Sequence, residues 1–369
     1  MIPVNKYLMR IWLIVMLLFI NIGILIPMAT AKEPVTPQLS LNQAVALALA
    51  NDNSVEKATI EIDRTQELRD SAGGKIIYIP TGPVNDGNAV SAYTSALNAE
   101  LTYQKSMKDL TAAQEAVIYN TCSNYWDLVN AQQKLKIAKM GLDKVSQDLQ
   151  KARISFQVGV ASKIELTNAE TQLKSSQASY ASAQNNLDTA YSVFNKSIGL
   201  WSEDRPILTE DLEFKPLKIT DLSAEITSRI EQNPNIWYAE TAANMMKSLE
   251  EQGLNVGSGI PGDARQAGVQ QTLLDVATGK QTAEQAVESL YYKIRSLEEN
   301  YAAAQQGLLL LEDNLKVQQI KTDIGMGTKN ELLAVELEIA SARQALAELN
   351  YQHHLAILAF EKPWAVNRN

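Results

Sequence analysis

Cysteine and histidine are almost missing from this chain. Its 369 residues include one cysteine, Cys122, and two histidines, His353 and His354. A lone cysteine excludes an intrachain disulfide. It sits in a polar helical stretch and reads as a passive thiol. The histidines are adjacent, and helical neighbours point about 100° apart, so the two cannot grip one metal together. His353 falls on an apolar helical line and is expected to pack. Aromatics make up 6% of the chain, with 17 glycines and 11 prolines. Ala, Leu, Gln, Asn and Ser are abundant instead, which favours long helices with small-residue seams over a compact core. There is no glycine-rich phosphate loop, no zinc-type spacing and no Ser–His–Asp set. Adjacent acids such as Glu298 and Glu299 read as a solvated face. These absences leave no catalytic residue, no metal ligand set and no cofactor site, and so no enzyme. The net charge is −9, whereas sequence-independent nucleic-acid binding needs clustered Lys and Arg.

Long apolar runs are also scarce, and the one present is N-terminal. Lys6 and Arg10 precede an apolar run from Ile11 to Met28, closed by Ala29-Thr30-Ala31 before Lys32. A basic start, an apolar middle and a small-x-small end have the layout of a secretory signal peptide, residues 1–31. An uncleaved anchor is the alternative, because the run is nearly long enough to span a bilayer. No cysteine follows the site, so no lipid is attached there.

What the chain has is a duplicated heptad pattern. Leu128, Ala131, Leu135, Ala138, Leu142, Val145, Leu149, Ala152 and Phe156 step by three and four. The line recurs, 166 positions on, as Ile294, Leu297, Tyr301, Ala304, Leu308, Leu311, Leu315, Gln318 and Thr322. Such a repeat is the mark of coiled-coil hairpins and of an architectural role. Each first helix breaks at a glycine, Gly159 or Gly325, suited to the left-handed helix-ending conformation. Three residues later Ser162 with Glu165, and Thr328 with Glu331, supply capping boxes for the returning helices. Those helices carry their own lines. The first is Leu166, Ala169, Leu173, Ser176, Tyr180, Ala183, Leu187, Ala190 and Phe194. The second is Leu332, Val335, Ile339, Ala342, Leu346, Leu349, His353, Ala356 and Phe360.

The spacing predicts helices from Leu41 to Asn51 and from Ser54 to Ala72, and a long helix from Val90 or Leu97 to Val158. The first helices correspond between copies at an offset of 181, with Asn51-Asp52-Asn53 falling on Gln232-Asn233-Pro234. Tyr125-Trp126 and Tyr291-Tyr292 occupy equivalent places and read as bulky packing between hairpins. The segments are therefore a first repeat at 32–198, an irregular linker at 199–221, a second repeat at 222–362 and a tail at 363–369.

Four pieces carry a family resemblance: LSLNQAVALALANDN, SNYWDLVNAQQKLKIA, RISFQVGVASKIELTNAETQL and IKTDIGMGTKNELLAVELEIASARQAL. Taken in order and in both copies, they resemble the TolC-like outer-membrane efflux proteins. The resemblance implies a homotrimer whose long helices form a hollow α-barrel through the periplasm. It also implies strands, a pair per copy, that join into one barrel in the outer membrane. A periplasmic adaptor (a membrane fusion protein) and an inner-membrane transporter would dock at the tips. The tip residues are Gly159, Ser162, Glu165, Gly325, Thr328 and Glu331, for which plain helix capping is the simpler role. Glu331 matches one of two acidic entrance positions and is a pore-lining candidate; Ala334 stands at the other.

The inserts that should hold the strands are poor. Residues 73–96 offer KIIYIP (Lys75 to Pro80), expected as a short strand, and a weak run from Ala92 to Leu97. Residues 253–281 show Val269, Leu273 and Val276 at helical spacing, an expected helix stop at Gly279 and a new cap at Thr282 with Gln285. A membrane strand needs about 9–11 alternating residues. The expectation is an all-α fold of two tandem coiled-coil hairpins, a TolC-like α-barrel protomer with little or no β-barrel. Its function would be that of an efflux or secretion duct. The alternative is a non-conducting spacer of the envelope.

Overall fold

The computed structural model describes residues 35–83, 86–254 and 260–366. The expected signal peptide lies outside the described residues. The fold below belongs to the compact unit Thr36–Asn369.

Strand β1 (Gln38–Leu39) leads into α1 (Leu41–Asn51), which Ser40 and Gln43 start with a capping box. Asp52 caps α2 (Asn53–Gly73). Asp86 accepts from the N–H groups of Asn88 and Ala89 and so starts α3 (Gly87–Gln157). The 71 residues of α3 run for about 105 Å at about 1.5 Å each. Helix α4 (Lys163–Ser197) returns along it. Strand β2 (Ile207–Leu208) pairs with β1 in parallel. The second copy then follows with α5 (Leu222–Gln232), α6 (Pro234–Glu251), α7 (Gly262–Asp323) and α8 (Lys329–Glu361), closed by the short α9 (Pro363–Val366). Asn233 caps α6 as Asp52 caps α2, so the helix–helix kink is duplicated at the offset of 181.

The heptad lines are the seams of the hairpins. Every residue of the α4, α7 and α8 lines is buried or partly buried. The α3 line agrees up to Ala152; Phe156, beside the tip, is 39% exposed. Helix α3 also packs on α8, so the helices lie in the order α4, α3, α8, α7. The α3–α8 seam is polar. Asn130 Oδ1 accepts from Gln344 Nε2 at 2.6 Å, Lys134 meets Glu348 at 3.3 Å, and Asn330 Nδ2 donates to Asp148. Hydrophobic patterning is blind to such a seam, because its members look like surface residues.

The first core gathers Ala44, Ala48, Tyr125, Trp126, Leu128 and Phe194 where α1 crosses the hairpin root. Tyr125 Oη donates to the Leu39 carbonyl at 3.2 Å and accepts from Glu210 N–H at 3.0 Å, so it ties both strands' flanks to α3. Trp126 stacks on Tyr351 of α8 with centroids 4.7 Å apart. The equivalent pair departs from expectation: Tyr291 is partly buried, but Tyr292 is 58% exposed. The second core joins Val287, Ile294, Leu297, Ala356 and Phe360.

Several other expectations change. The segment Lys75 to Pro80 is a connection and not a strand: Lys75 and Ile76 N–H groups turn back onto the Ala72 and Gly73 carbonyls at the end of α2, and among the described residues no strand pairs with the rest. The run Ala92 to Leu97 is helical, since Asp86 starts α3 earlier than periodicity suggested. Gly279 does not stop a helix: α7 runs through it, and Thr282 Oγ1 donates back to the Thr278 carbonyl instead of capping. The linker is not wholly irregular, as it contains β2. Glu298 is not on a solvated face. It accepts from Leu217 N–H at 2.7 Å and Arg295 at 2.7 Å, and His353 Nε2 lies 3.2 Å away. Burial would raise its pKa, but these partners together hold it below the usual glutamate value.

Candidate functional site: the hairpin tips and the open edges

The two tips are built alike. Gly159 (φ 79°) and Gly325 (φ 77°) take the left-handed conformation, which costs a side-chain-bearing residue about 1–2 kcal/mol. Ser162 Oγ accepts from Glu165 N–H at 3.2 Å, and Glu165 Oε2 accepts from Ser162 N–H in return. Thr328 and Glu331 repeat the arrangement at 3.3 and 2.8 Å. The structure thus places all six tip residues in two capped turns. Glu331 is held in its ionised form first by the Thr328 N–H, and Gln318 Nε2 also reaches it at 3.3 Å.

Periodicity missed Gly327. A Cβ there would lie 3.0 Å from Gln318 Nε2 and 3.1 Å from Thr322 N. The equivalent residue in the first tip is Ala161, so the second turn is the tighter. The tips also expose large apolar side chains: Val158 (68%), Val160 (81%), Ile164 (72%), Ile324 (63%) and Met326 (78%). Their signal was present in the sequence but lay off the heptad lines.

The array has two open edges. Between α3 and α8, the positions Asn130, Gln133, Ile137, Gly141, Lys144 and Asp148 are all partly covered. Their equivalents 166 residues on, along α7, are Ser296, Glu299, Ala303, Gly307, Leu310 and Asn314, and every one is exposed. The α8 positions Leu333, Leu337, Gln344 and Glu348 are partly covered, and their α4 equivalents Thr167, Thr171, Ala178 and Ser182 are exposed. Gly141 faces Leu337 at close quarters, while matching Gly307 faces open space. Toward the tip the free α7 face exposes large apolar side chains, with Leu310 72%, Val317 49% and Ile320 61% exposed.

The remaining candidates are structural. Cys122 is buried, and burial pushes its thiol up to about 11, far from a reactive thiolate. His353 is buried against Glu298 and packs on Phe214. His354 lies edge-on to Trp126, and burial first, then His353, lowers its pKa. Among the described residues no group of three or more His, Cys, Asp and Glu could hold a metal ion. Among them, too, no helix is long and apolar enough to cross a membrane.

Comparison with known proteins supplies the family context. Residues 81–200 match the outer membrane efflux protein family. No curated protein sequence matches the chain. The solved structure of CusC is similar with a TM-score of 0.65 at 15% identity, over 90% of this chain and 94% of that one. The Campylobacter jejuni CmeC outer membrane channel gives 0.62 at 14% identity, over 89% and 87%. The Vibrio cholerae outer membrane protein VceC gives 0.61 at 12% identity, over 88% and 95%. The first of these is described as forming a transmembrane channel, the second as an outer membrane channel and the third as an outer membrane protein, and at these identities the likeness is one of fold. Across residues 81–200 the chain carries the outer membrane efflux protein pattern, and as a whole it has the helical fold of the TolC-like channels.

Proposed function

We propose that three copies of this chain close into a hollow helical duct for tripartite efflux or secretion. A periplasmic adaptor, and through it an inner-membrane transporter, would meet the hairpin tips. The observation that carries this reading is the mismatch in burial between equivalent positions. What α8 covers on α3 has no cover on α7, and the faces left open, α7 and α4, are the two that differ. Such edges join head to tail, and a head-to-tail contact that closes makes a ring. The number three comes from the family resemblance. Gly159, Ser162, Glu165, Gly325, Thr328 and Glu331 shape the docking turns, and the apolar side chains around them supply the contact area. Glu331 is also our candidate for a charge at the entrance. Cargo would be small molecules or a polypeptide.

A second reading, a spacer that conducts nothing, is favoured by one observation. Among the described residues of both connections where membrane strands would be inserted, there is no strand. The test is the mass of the detergent-free protein, followed by current across planar bilayers. A trimer with steady single-channel steps supports the duct. A trimer without current supports the spacer, and a monomer overturns both ring readings.

A further inference from the structure

The two histidines are neighbours near the C-terminal end of α8, and they face different interfaces. His353 is 2% exposed. Its Nε2 lies 3.2 Å from Glu298 Oε1 of α7, and its ring packs on Phe214 of the linker with centroids 4.7 Å apart. His354 lies about 100° further round the helix. It is partly buried and meets Trp126 of α3 at a T-shaped angle, with centroids 6.3 Å apart. One histidine has a carboxylate ready for its charge, and the other has an indole. We infer that this end of α8 is a pH-sensitive joint: when both histidines are protonated, α8 tightens on α7 and the linker and loosens on α3.

The groups around each ring set the two signs. Beside His353, α7 supplies Glu298, Arg295 on the same carboxylate at 2.7 Å, and Tyr301, which stacks on Phe214 at 3.7 Å. The linker adds the Leu217 N–H, 2.7 Å from Glu298, while its exposed Glu213 and Lys215 pair with each other at 3.0 Å. Burial would protonate Glu298, but its partners outweigh burial and keep the carboxylate ionised. An imidazolium there completes an ion pair, and charge-assisted hydrogen bonds are shorter and stronger than neutral ones. Around His354 the charges are spent elsewhere. On α3, Lys134 is held by Glu348 at 3.3 Å and Glu115 by Lys362 at 2.9 Å. Asp211 of the linker acts on Tyr351, and α1 has no charged residue. The charged neighbour that acts on His354 is His353, whose proton repels a second one. A charge on His354 therefore stays costly until water reaches it, and water reaches it when α8 draws away from Trp126. Acid thus shifts the α7–α8 hairpin and the linker, as one body, away from α3. The joint lies within one chain and stands whether or not three chains close a ring.

Spin-label distances test the joint. Lys136 on α3, Gln352 on α8 and Lys293 on α7 are exposed, and the native Cys122 is buried away from the label. Two labelled pairs are made in the whole chain, Lys136→Cys with Gln352→Cys and Lys293→Cys with Gln352→Cys, each diluted with unlabelled chain. Between pH of about 7.5 and about 5.5, where histidines gain charge, the α3–α8 distance should lengthen by about 2 Å or more, and the α7–α8 distribution should narrow. His354→Phe, which keeps a ring against Trp126, should abolish the lengthening. His353→Gln, which keeps a neutral hydrogen bond to Glu298, should abolish the narrowing. Both variants should retain the native circular dichroism. Distances between the native histidines' helices that ignore pH overturn the inference. So does equal lengthening of both pairs, or a lengthening that survives His354→Phe.

Discussion

Leu308 and Leu310 are two residues apart on α7 and should behave in opposite ways when replaced by aspartate. Leu308 lies on the seam with α8 and is partly buried; Leu310 is 72% exposed on the free edge. An apolar side chain of this size contributes about 1.5–3 kcal/mol when covered. Leu308→Asp should therefore lower the unfolding free energy by about 2 kcal/mol. Leu310→Asp should change the stability of the single chain by no more than about 0.5 kcal/mol, as for other surface changes. Its effect should appear on assembly. Each of three identical junctions would lose about 2 kcal/mol, or about 6 kcal/mol per ring. At 1.4 kcal/mol per decade that is about four decades in the association constant. Because a monomer–trimer midpoint varies as the square root of that constant, the midpoint concentration should rise roughly 100-fold. Sedimentation equilibrium across a dilution series reads the midpoint, and urea titration followed by circular dichroism reads the fold. An unmoved midpoint for Leu310→Asp, or a loss of fold equal to that of Leu308→Asp, would refute the assignment of the two faces.

Tyr125→Phe should destabilise the fold by about 1–3 kcal/mol in urea titration, because it leaves the Glu210 N–H without its partner, while the Leu39 carbonyl keeps only the Thr209 N–H. His354 is partly buried, and that burial lowers its pKa, so the unfolded chain takes up its proton first. Its contribution is fully present above the ordinary histidine value of 6.5 and declines as pH falls below it. Melting temperature should fall over that range, and His354→Phe, which keeps a ring against Trp126, should flatten the decline. Val160→Asp and Met326→Asp should weaken export in cells while leaving circular dichroism and trimer mass unchanged, since both side chains are about four-fifths exposed. Undiminished export by the pair would remove the tips from the docking proposal.

Much of the fold was legible in the residues. The four heptad lines named the seams within each hairpin, because an apolar stripe at a three-four step can be buried only against another helix. Gly159 and Gly325 with their capping partners named the turns, because only local backbone chemistry is involved there. The misreadings have one physical source. KIIYIP has strand residues but no neighbour to pair with, and Gly279 is a poor helix former that the packing of α7 carries through. The α3–α8 seam and the Glu298 cluster were hidden because polar residues buried by a partner look the same in sequence as polar residues facing water.

The sequence alone determined the duplication, the hairpins, the capped tips and the acidic, cysteine-poor character of a helical protein, all of which follow from short-range periodicity and composition. Only the tertiary structure decided which helices stand side by side, which faces stay uncovered and that the described residues of the two far connections form no strand. Those outcomes depend on contacts between residues more than 150 positions apart, where local preference has no say and packing chooses.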